Sequence, residues 1–97
     1  MTMFIAVLEL QLDLPGVHGL KQKRGLIKGL LQRIHKNHHA AVAEVDLLDH
    51  WQSAMIGCAL VGNEAAVLQR RMQKIVDAIE RDSSGVVLVD YQVDILS

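Results

Sequence analysis

Alternation of apolar and polar residues marks the two ends of the chain as strands. In residues 3–14 apolar side chains recur at every second position, as in a strand with one buried face. The Pro15-Gly16 pair ends this pattern. Residues 87–95 alternate in the same way after the polar break at residues 83–85. We therefore predict a strand at each end of the chain.

Two central segments have the three-to-four spacing of amphipathic helices. The first runs from residue 20 to about residue 37. The second follows Asn63, which is a good N-cap residue, and continues to Glu80. Between them, residues 40–48 and 52–61 are strand-like and meet at Asp49-His50, which predicts a hairpin. The apolar positions of the two helices are Leu20, Ile27, Leu30, Leu31 and Ile34, and then Leu68, Met72, Ile75, Val76 and Ile79.

The order strand, helix, strand, strand, helix, strand predicts an α+β protein of the ferredoxin-like βαββαβ class. Right-handed crossovers place both helices on one face of a four-stranded antiparallel sheet. With 97 residues, 51% of them hydrophobic, the chain can bury one modest core. We expect a single domain over residues 1–97.

This architecture leaves one sheet face without helices, and the sequence does not make that face uniformly polar. We expect a second copy of the chain to cover it, giving a homodimer. The alternative is a tolerable scatter of exposed aliphatic residues on a monomer. The residues expected on this face are Ile5, Val7, Val42, Met55, Ala59 and Leu88, mixed with Glu9, Glu44 and Asp90.

Cysteine usage and hydropathy favour a cytoplasmic protein without a membrane span. The single cysteine, Cys58, has no partner for an internal disulfide. The first residues have no signal-peptide pattern, and no apolar run approaches the ~18 residues of a membrane helix. We expect Cys58 to be a small buried apolar residue.

Charge is strongly segregated although the formal net charge is only −1. Residues 18–39 contain six of the ten Lys and Arg residues and no acid, so the rest of the chain carries four bases against eleven acids. Such a window predicts a cationic face for an anionic partner. The alternative is a solvated face paired loosely with acids elsewhere in the chain. The six candidates for binding an anion or nucleic acid are Lys21, Lys23, Arg24, Lys28, Arg33 and Lys36.

Three of these cations, Lys21, Lys23 and Arg24, lie in the first turns of the first helix. The macrodipole is positive there, so helix stability does not favour them. Free backbone N–H groups at the same terminus suit phosphate or another anion. The three aromatic residues lie away from this helix, so RNA would bind through its phosphates and shape and not by stacking.

The motif Pro15-Gly16, then LKQKR at residues 20–24, VAEV at 42–45 and DHWQSA at 49–54, resembles the YlxP-like family of small bacterial proteins. The resemblance covers most of the chain. It implies a ferredoxin-like fold and, through the neighbourhood of the family's genes, a role near ribosome assembly or translation. It implies no established activity. Gly19 and the His38-His39 pair depart from the family pattern.

Other polar residues are interpreted structurally. Glu44 interrupts an apolar strand, so it must face solvent, a dimer mate or a cation. Trp51 is expected to be a packing anchor at the end of the hairpin. His35, His38 and His39 lack further ligands for a metal, and His50 beside Asp49 lacks an oxyanion hole, so no metal, cofactor or catalytic residue is predicted. The structural candidates are Pro15, Gly16, Glu44, Asp49, Trp51 and Gln52.

Three functional hypotheses remain. The first is a non-enzymatic accessory protein that binds RNA or a ribonucleoprotein such as the ribosome through the first helix. The second is a small-molecule sensor or enzyme with a phosphate-like ligand at the N-terminus of that helix, near Pro15-Gly16. The third is a protein-interaction module whose basic face meets an acidic protein.

Overall fold

The computed structural model describes residues 2–97 and has the predicted order of elements. The sheet order is β2-β3-β1-β4, and every neighbouring pair is antiparallel. The elements are β1 (Phe4–Asp13), α1 (Leu20–His38), β2 (Ala41–Asp46), β3 (Ser53–Gly62), α2 (Ala65–Glu80) and β4 (Val87–Leu96).

Both helices pack on one face of this sheet, which confirms the ferredoxin-like α+β fold. The even-numbered residues of β1 and β3 point towards the helices, and those from Ala6 to Leu12 and from Ala54 to Leu60 are buried. For β1 this is the face that the alternation predicted. Burial of α1 at Ile27, Leu30 and Ile34 supplies the opposing apolar surface. Burial of this kind is the main term that holds a domain of this size together.

Two predicted details are wrong. The N-cap position of α2 is Glu64 and not Asn63, and Glu64 makes no side-chain cap bond. Strand β4 contains a register shift opposite Gln11 and Leu12, so its two halves alternate in opposite phase. A β-bulge inserts one residue and moves the following side chains to the other face. Leu88 therefore pairs with buried Leu12 and packs against the core, although simple alternation placed it on the open face.

The open face of the sheet also differs from the prediction at β2. Val42 pairs with Cys58 and Glu44 pairs with Ile56, and both partners are buried on the helix side. Directly opposed residues in an antiparallel pair share a face, so Val42 and Glu44 point towards the helices. Their places on the open face are taken by Ala41 and Ala43, which oppose Ala59 and Gly57.

Positive charge is confined to the helical layer. Nine of the ten Lys and Arg residues lie within α1 or α2, and the tenth, Arg81, is the C-cap of α2. No strand contains a Lys or Arg. Six of the eleven acids lie on strands, namely Glu9, Asp13, Glu44, Asp46, Asp90 and Asp94. The molecule therefore has a cationic helical layer and an acidic sheet.

Candidate functional site

Four of the six cationic residues of α1 form a row that faces solvent, here called the basic stripe: Lys21, Arg24, Lys28 and Lys36. At 100° per residue they lie within about 120° of arc, opposite the buried side of the helix. A rise of 1.5 Å per residue gives the stripe a length of about 22 Å. Within residues 2–97, none of the four forms an ion pair or a side-chain hydrogen bond. The stripe is thus available to an external anion.

Lys23 does not belong to this surface, which corrects the prediction. Its side chain is 1% exposed, and its Nζ lies 2.9 Å from Glu44 Oε2. The same ammonium donates a 2.6 Å hydrogen bond to the carbonyl of Leu47. Among the described residues, no donor other than this ammonium engages the buried Oε2 atom. The cation that Glu44 was expected to face is therefore Lys23 of the same chain.

The Lys23 contact fixes the start of the loop between β2 and β3. Leu47 has a positive φ of 60°, a conformation that is uncommon for a residue other than glycine. Its carbonyl accepts from both Lys23 Nζ and the backbone N–H of His50, and its own N–H donates to Asp46 Oδ1 at 2.7 Å. These bonds hold the unfavourable backbone in place, so Lys23 has a structural role.

Arg33 is also neutralised within the chain. Its Nη2 lies 3.0 Å from Asp82 Oδ2 and donates to Ser84 Oγ at 3.1 Å. Burial raises the pKa of Asp82, but hydrogen bonds from the Ser84 side chain and backbone, together with Arg33, outweigh it and hold that pKa below its ordinary value. Arg33 therefore links α1 to the segment after α2 and is withdrawn from the anion-binding candidates.

The N-terminus of α1 retains only Lys21 and Arg24 as exposed cations. Its N-cap, Gly19, has no side-chain cap bond. Gln22 closes this end instead, because its Oε1 accepts from the His18 N–H at 2.9 Å and its Nε2 donates to the Gly16 carbonyl at 3.3 Å. The hypothesised site for a small anion near Pro15-Gly16 has therefore lost one of its three cations.

The structural candidates around the β2–β3 loop fall into two groups. Gln52 joins the β1–α1 loop to the β2–β3 loop. Its Nε2 donates to the carbonyls of Pro15 and Val17, and its backbone carbonyl accepts from the N–H of Leu14. Trp51 lies in the loop before β3 and is 52% exposed, so the prediction of a packing anchor is wrong. Asp49 is exposed in the same loop.

A second group of cations lies at the other end of α1 and was missed by the sequence analysis. A cleft of about 310 Å³, here called the His38 cleft, is lined by Asn37, His38, His39, Arg71 and Lys74. Arg71 Nη2 donates to the His38 carbonyl at 3.0 Å. Burial first, and then the charges of Arg71, His39 and Lys74, lower the pKa of His38 from its ordinary value. The spacing of Arg71 and Lys74, three apart on one helix, was the available signal.

The remaining candidates for chemistry are accounted for by packing. The Nδ1 of His35 bonds to the Ala40 carbonyl at 3.1 Å; a carbonyl only accepts, so this nitrogen carries a proton. Cys58 is buried, as predicted, and burial raises its pKa to about 12. Within residues 2–97, no three His, Cys, Asp or Glu side chains are grouped to hold a metal ion. Neither described helix is apolar over a length that could cross a bilayer.

These features define a small α+β protein of ferredoxin-like fold with a cationic helical surface. The chain belongs to the family described as "Protein of unknown function (DUF503)", whose model matches residues 5–93. The "Uncharacterized protein YlxP" of Bacillus subtilis (strain 168) is 26% identical over 61 residues. That match covers 63% of this chain and 66% of the relative, slightly less than two thirds of its length. The sequence resemblance to the YlxP-like family is thereby confirmed.

A solved structure also resembles the chain in fold. The "De novo designed protein Foldit4" has a TM-score of 0.54 and 12% sequence identity, with 98% of this chain and 97% of that chain covered. At this identity the likeness concerns the fold alone, because unrelated sequences and functions share this architecture.

Proposed function

We propose that this protein is a non-enzymatic accessory factor that binds the phosphate backbone of RNA through the basic stripe of α1. The observation that carries the proposal is the row of four exposed cations without an acid partner in the described chain. Cations along about 22 Å of a helix match a chain of phosphates better than a single small anion. Affinity then depends on charge and shape and little on base sequence.

The distribution of charge over the two layers supports an approach from the helical side. An RNA strand at the open sheet face would meet Glu9, Asp90 and Asp94, which repel phosphate. Gly25 lies beside Arg24 on the outer side of α1, and a Cβ added there would meet nothing within 4 Å. Packing within the chain therefore does not require this glycine, whereas close approach of a partner backbone gives it a reason.

The test is the salt dependence of binding to a short single-stranded RNA, measured by fluorescence anisotropy. We expect a double variant, Lys21→Gln with Lys28→Gln, to reduce the slope of log K against log salt by about 1.4, since each lost phosphate contact contributes about 0.7. The matched control is Thr2→Glu with Ser97→Glu, which changes net charge equally but at exposed positions beside the sheet. Equal slopes for the two double variants would refute the proposal.

A polyglutamate competitor separates RNA from an acidic protein partner. Polyglutamate should displace RNA weakly, because its carboxylates sit on flexible side chains and are not held at the spacing of a phosphate backbone. Displacement as efficient as that by unlabelled RNA would favour the protein-interaction hypothesis. A role in ribosome assembly or translation and a cytoplasmic location stay predictions, and co-sedimentation with ribosomal subunits at low and high salt tests the first.

Self-association is a second proposal, and it concerns the open sheet face. The half formed by β2, β3 and the start of β1 is apolar and includes Ile5, Val7 and Val61. The acids Glu9 and Asp90 lie towards the other half, so a two-fold axis over the apolar half buries aliphatic surface and leaves carboxylates at the rim. Sedimentation velocity of Val7→Glu should show the monomer only; an unchanged species distribution contradicts the homodimer.

A further inference from the structure

We propose that the His38 cleft is a phosphate-binding site, separate from the basic stripe. It is formed where the end of α1 meets the middle of α2, and no residue of the stripe lines it. Its ligand is a phosphate group, carried either by a small phosphorylated compound or by the 5′ end of an RNA. This inference does not rest on the proposed function of the stripe.

The chemistry of the lining selects an anion. All five lining side chains can donate hydrogen bonds, and none is acidic. Arg71 uses Nη2 on the His38 carbonyl, and its guanidinium has further N–H donors to offer. Lys74 makes no side-chain hydrogen bond or ion pair within residues 2–97. Two permanent cations three residues apart on α2 thus face the same space.

Two carbonyls at the end of α1 are engaged by donors, which reduces the repulsion that this end would exert on an anion. The negative end of a helix dipole normally disfavours anions. Here the His38 carbonyl accepts from Arg71, and the His35 carbonyl accepts from the N–H of His39 at 3.0 Å. His39 adopts the left-handed conformation with φ 54°, where glycine or asparagine is preferred. A histidine at this position places an imidazole on the cleft.

The volume agrees with a ligand larger than an inorganic ion. A cleft of about 310 Å³ lies at the lower end of the range for small-molecule sites, so a sugar phosphate fits its scale. His38 also lines an adjoining cleft, and Asp82 is the acid in the lining of that second cleft. Asp82 is already paired with Arg33. The groups that face His38 are therefore Arg71 and Lys74 from α2 and His39 from its own element.

The first experiment uses sulfate, which keeps the same charge across the titration range of histidine. We expect saturable NMR shifts in the lining residues and a rise in the pKa of His38, because a bound anion favours the imidazolium. His18 precedes the start of α1, a helix about 28 Å long, and His50 bonds to the Leu47 carbonyl that Lys23 also contacts near that start. Neither lines the cleft, so both serve as internal controls. Shifts that chloride at equal ionic strength reproduces would overturn the proposal.

Variants of α2 sharpen this test. Lys74→Gln should weaken sulfate binding about tenfold, the loss of one charge-assisted contact. Arg70→Gln is the matched control, since Arg70 is exposed on the same helix but does not line the cleft. Equal affinity for the two variants would contradict the assignment. Arg71 is avoided as the primary variant because its bond to the His38 carbonyl also holds the helices together.

The source of the phosphate is distinguished with two further probes. Saturation by ribose 5-phosphate identifies a small phosphorylated compound, whereas binding of RNA that requires a 5′-phosphate identifies an RNA end. Failure of both probes overturns the inference. The stripe variant Lys21→Gln with Lys28→Gln should bind sulfate in the cleft as the unmodified protein does, so failure of the stripe proposal and failure of this one are separable.

Discussion

The two ends of α1 use positive charge in opposite ways. At the N-terminal end, Lys23 is buried, paired with Glu44 at 2.9 Å and bonded to a loop carbonyl. At the C-terminal end, Arg71 and Lys74 face an open cleft whose lining has no acid. Burial makes the first pair costly to disturb, whereas the exposed cations are easily removed. A lysine that neighbours exposed, anion-binding candidates in the sequence can therefore have a purely structural role in the folded protein.

Whether a cation of α1 is buried or exposed depends on its angular position on the helix and on the elements packed against it. At 100° per residue, Lys23 falls between Leu30 and Ile34 on the buried arc of α1, while Lys28 falls on the opposite side. A buried ammonium needs a partner, and β2 supplies one because Glu44 points towards the helices. The charge counted over residues 18–39 is thus an upper limit on the charge that the exposed surface of α1 carries.

The largest expected effect is at the buried end. Lys23→Met keeps the aliphatic stem but removes the ammonium, leaving Glu44, whose side chain is 13% exposed, without its cation. We expect a loss of about 3 kcal/mol in the free energy of unfolding, measured with urea. Lys28→Met, the same change on the exposed stripe, should stay within about 0.5 kcal/mol.

A second variant at Glu44 separates the charge from the packing. Adding Glu44→Leu to Lys23→Met removes the unpaired carboxylate, so the double variant should recover at least half of the loss. If the single variant at Lys23 behaves like the control at Lys28, the contrast between the buried and the exposed cations fails. Recovery by the second substitution would show that the cost comes from an isolated buried charge.

The sequence predicted the fold well because most elements carry a repeated local signal. The alternation of β1 and β4 and the three-to-four apolar spacing of α1 and α2, together with the strand-like content of residues 40–48 and 52–61, predicted the order and most of the bounds. The bulge in β4 could not be read from alternation, since one inserted residue leaves both halves regular and only changes their phase. Leu88 was therefore placed on the wrong face.

The candidate site was predicted only in part, for a different reason. The angular position of Lys23 on α1 is by itself enough to place it on the buried side and not on the basic stripe. The partners of Lys23 and Arg33, Glu44 and Asp82, are 21 and 49 residues away in sequence, and only tertiary packing brings them together. The His38 cleft likewise needs α1 and α2 side by side. Charge clusters formed across elements leave no local pattern.

An intermediate effect is expected at Arg33, whose partner is partly buried. Arg33→Gln removes the contacts to Asp82 and Ser84, and we expect a loss of about 0.5–1 kcal/mol at neutral pH, measured with urea. The pKa of Asp82 is lowered from 3.8 in the folded protein. Its stabilisation is therefore present above that value and is lost as the pH falls through the folded pKa.

The difference between Arg33→Gln and the unmodified protein should consequently shrink in acid, once Asp82 is protonated in both. Lys36→Gln makes the same change of charge on the same helix without removing an ion pair within residues 2–97, so it should leave stability unchanged at either pH. A loss at Arg33 that is independent of pH would mean that Asp82 is not its functional partner.

The smallest expected effect is a change in proton affinity at the exposed end. In the free protein, burial first and then Arg71, His39 and Lys74 hold the pKa of His38 below 6.5. Lys74→Gln removes one of these charges, so the pKa should rise towards its ordinary value but stay below it, as followed by NMR titration of the ring protons. Arg70→Gln, which does not line the cleft, should leave it unchanged.

The sign of this shift also predicts how acid affects stability. A lowered pKa means that the unfolded chain takes up a proton at His38 first, so this residue costs the folded protein stability as the pH falls below 6.5. Lys74→Gln should lose less stability than the unmodified protein over that interval. If instead the pKa of His38 is the same in both proteins, Lys74 does not face the cleft, and the cationic character of this end of α1 rests on Arg71 alone.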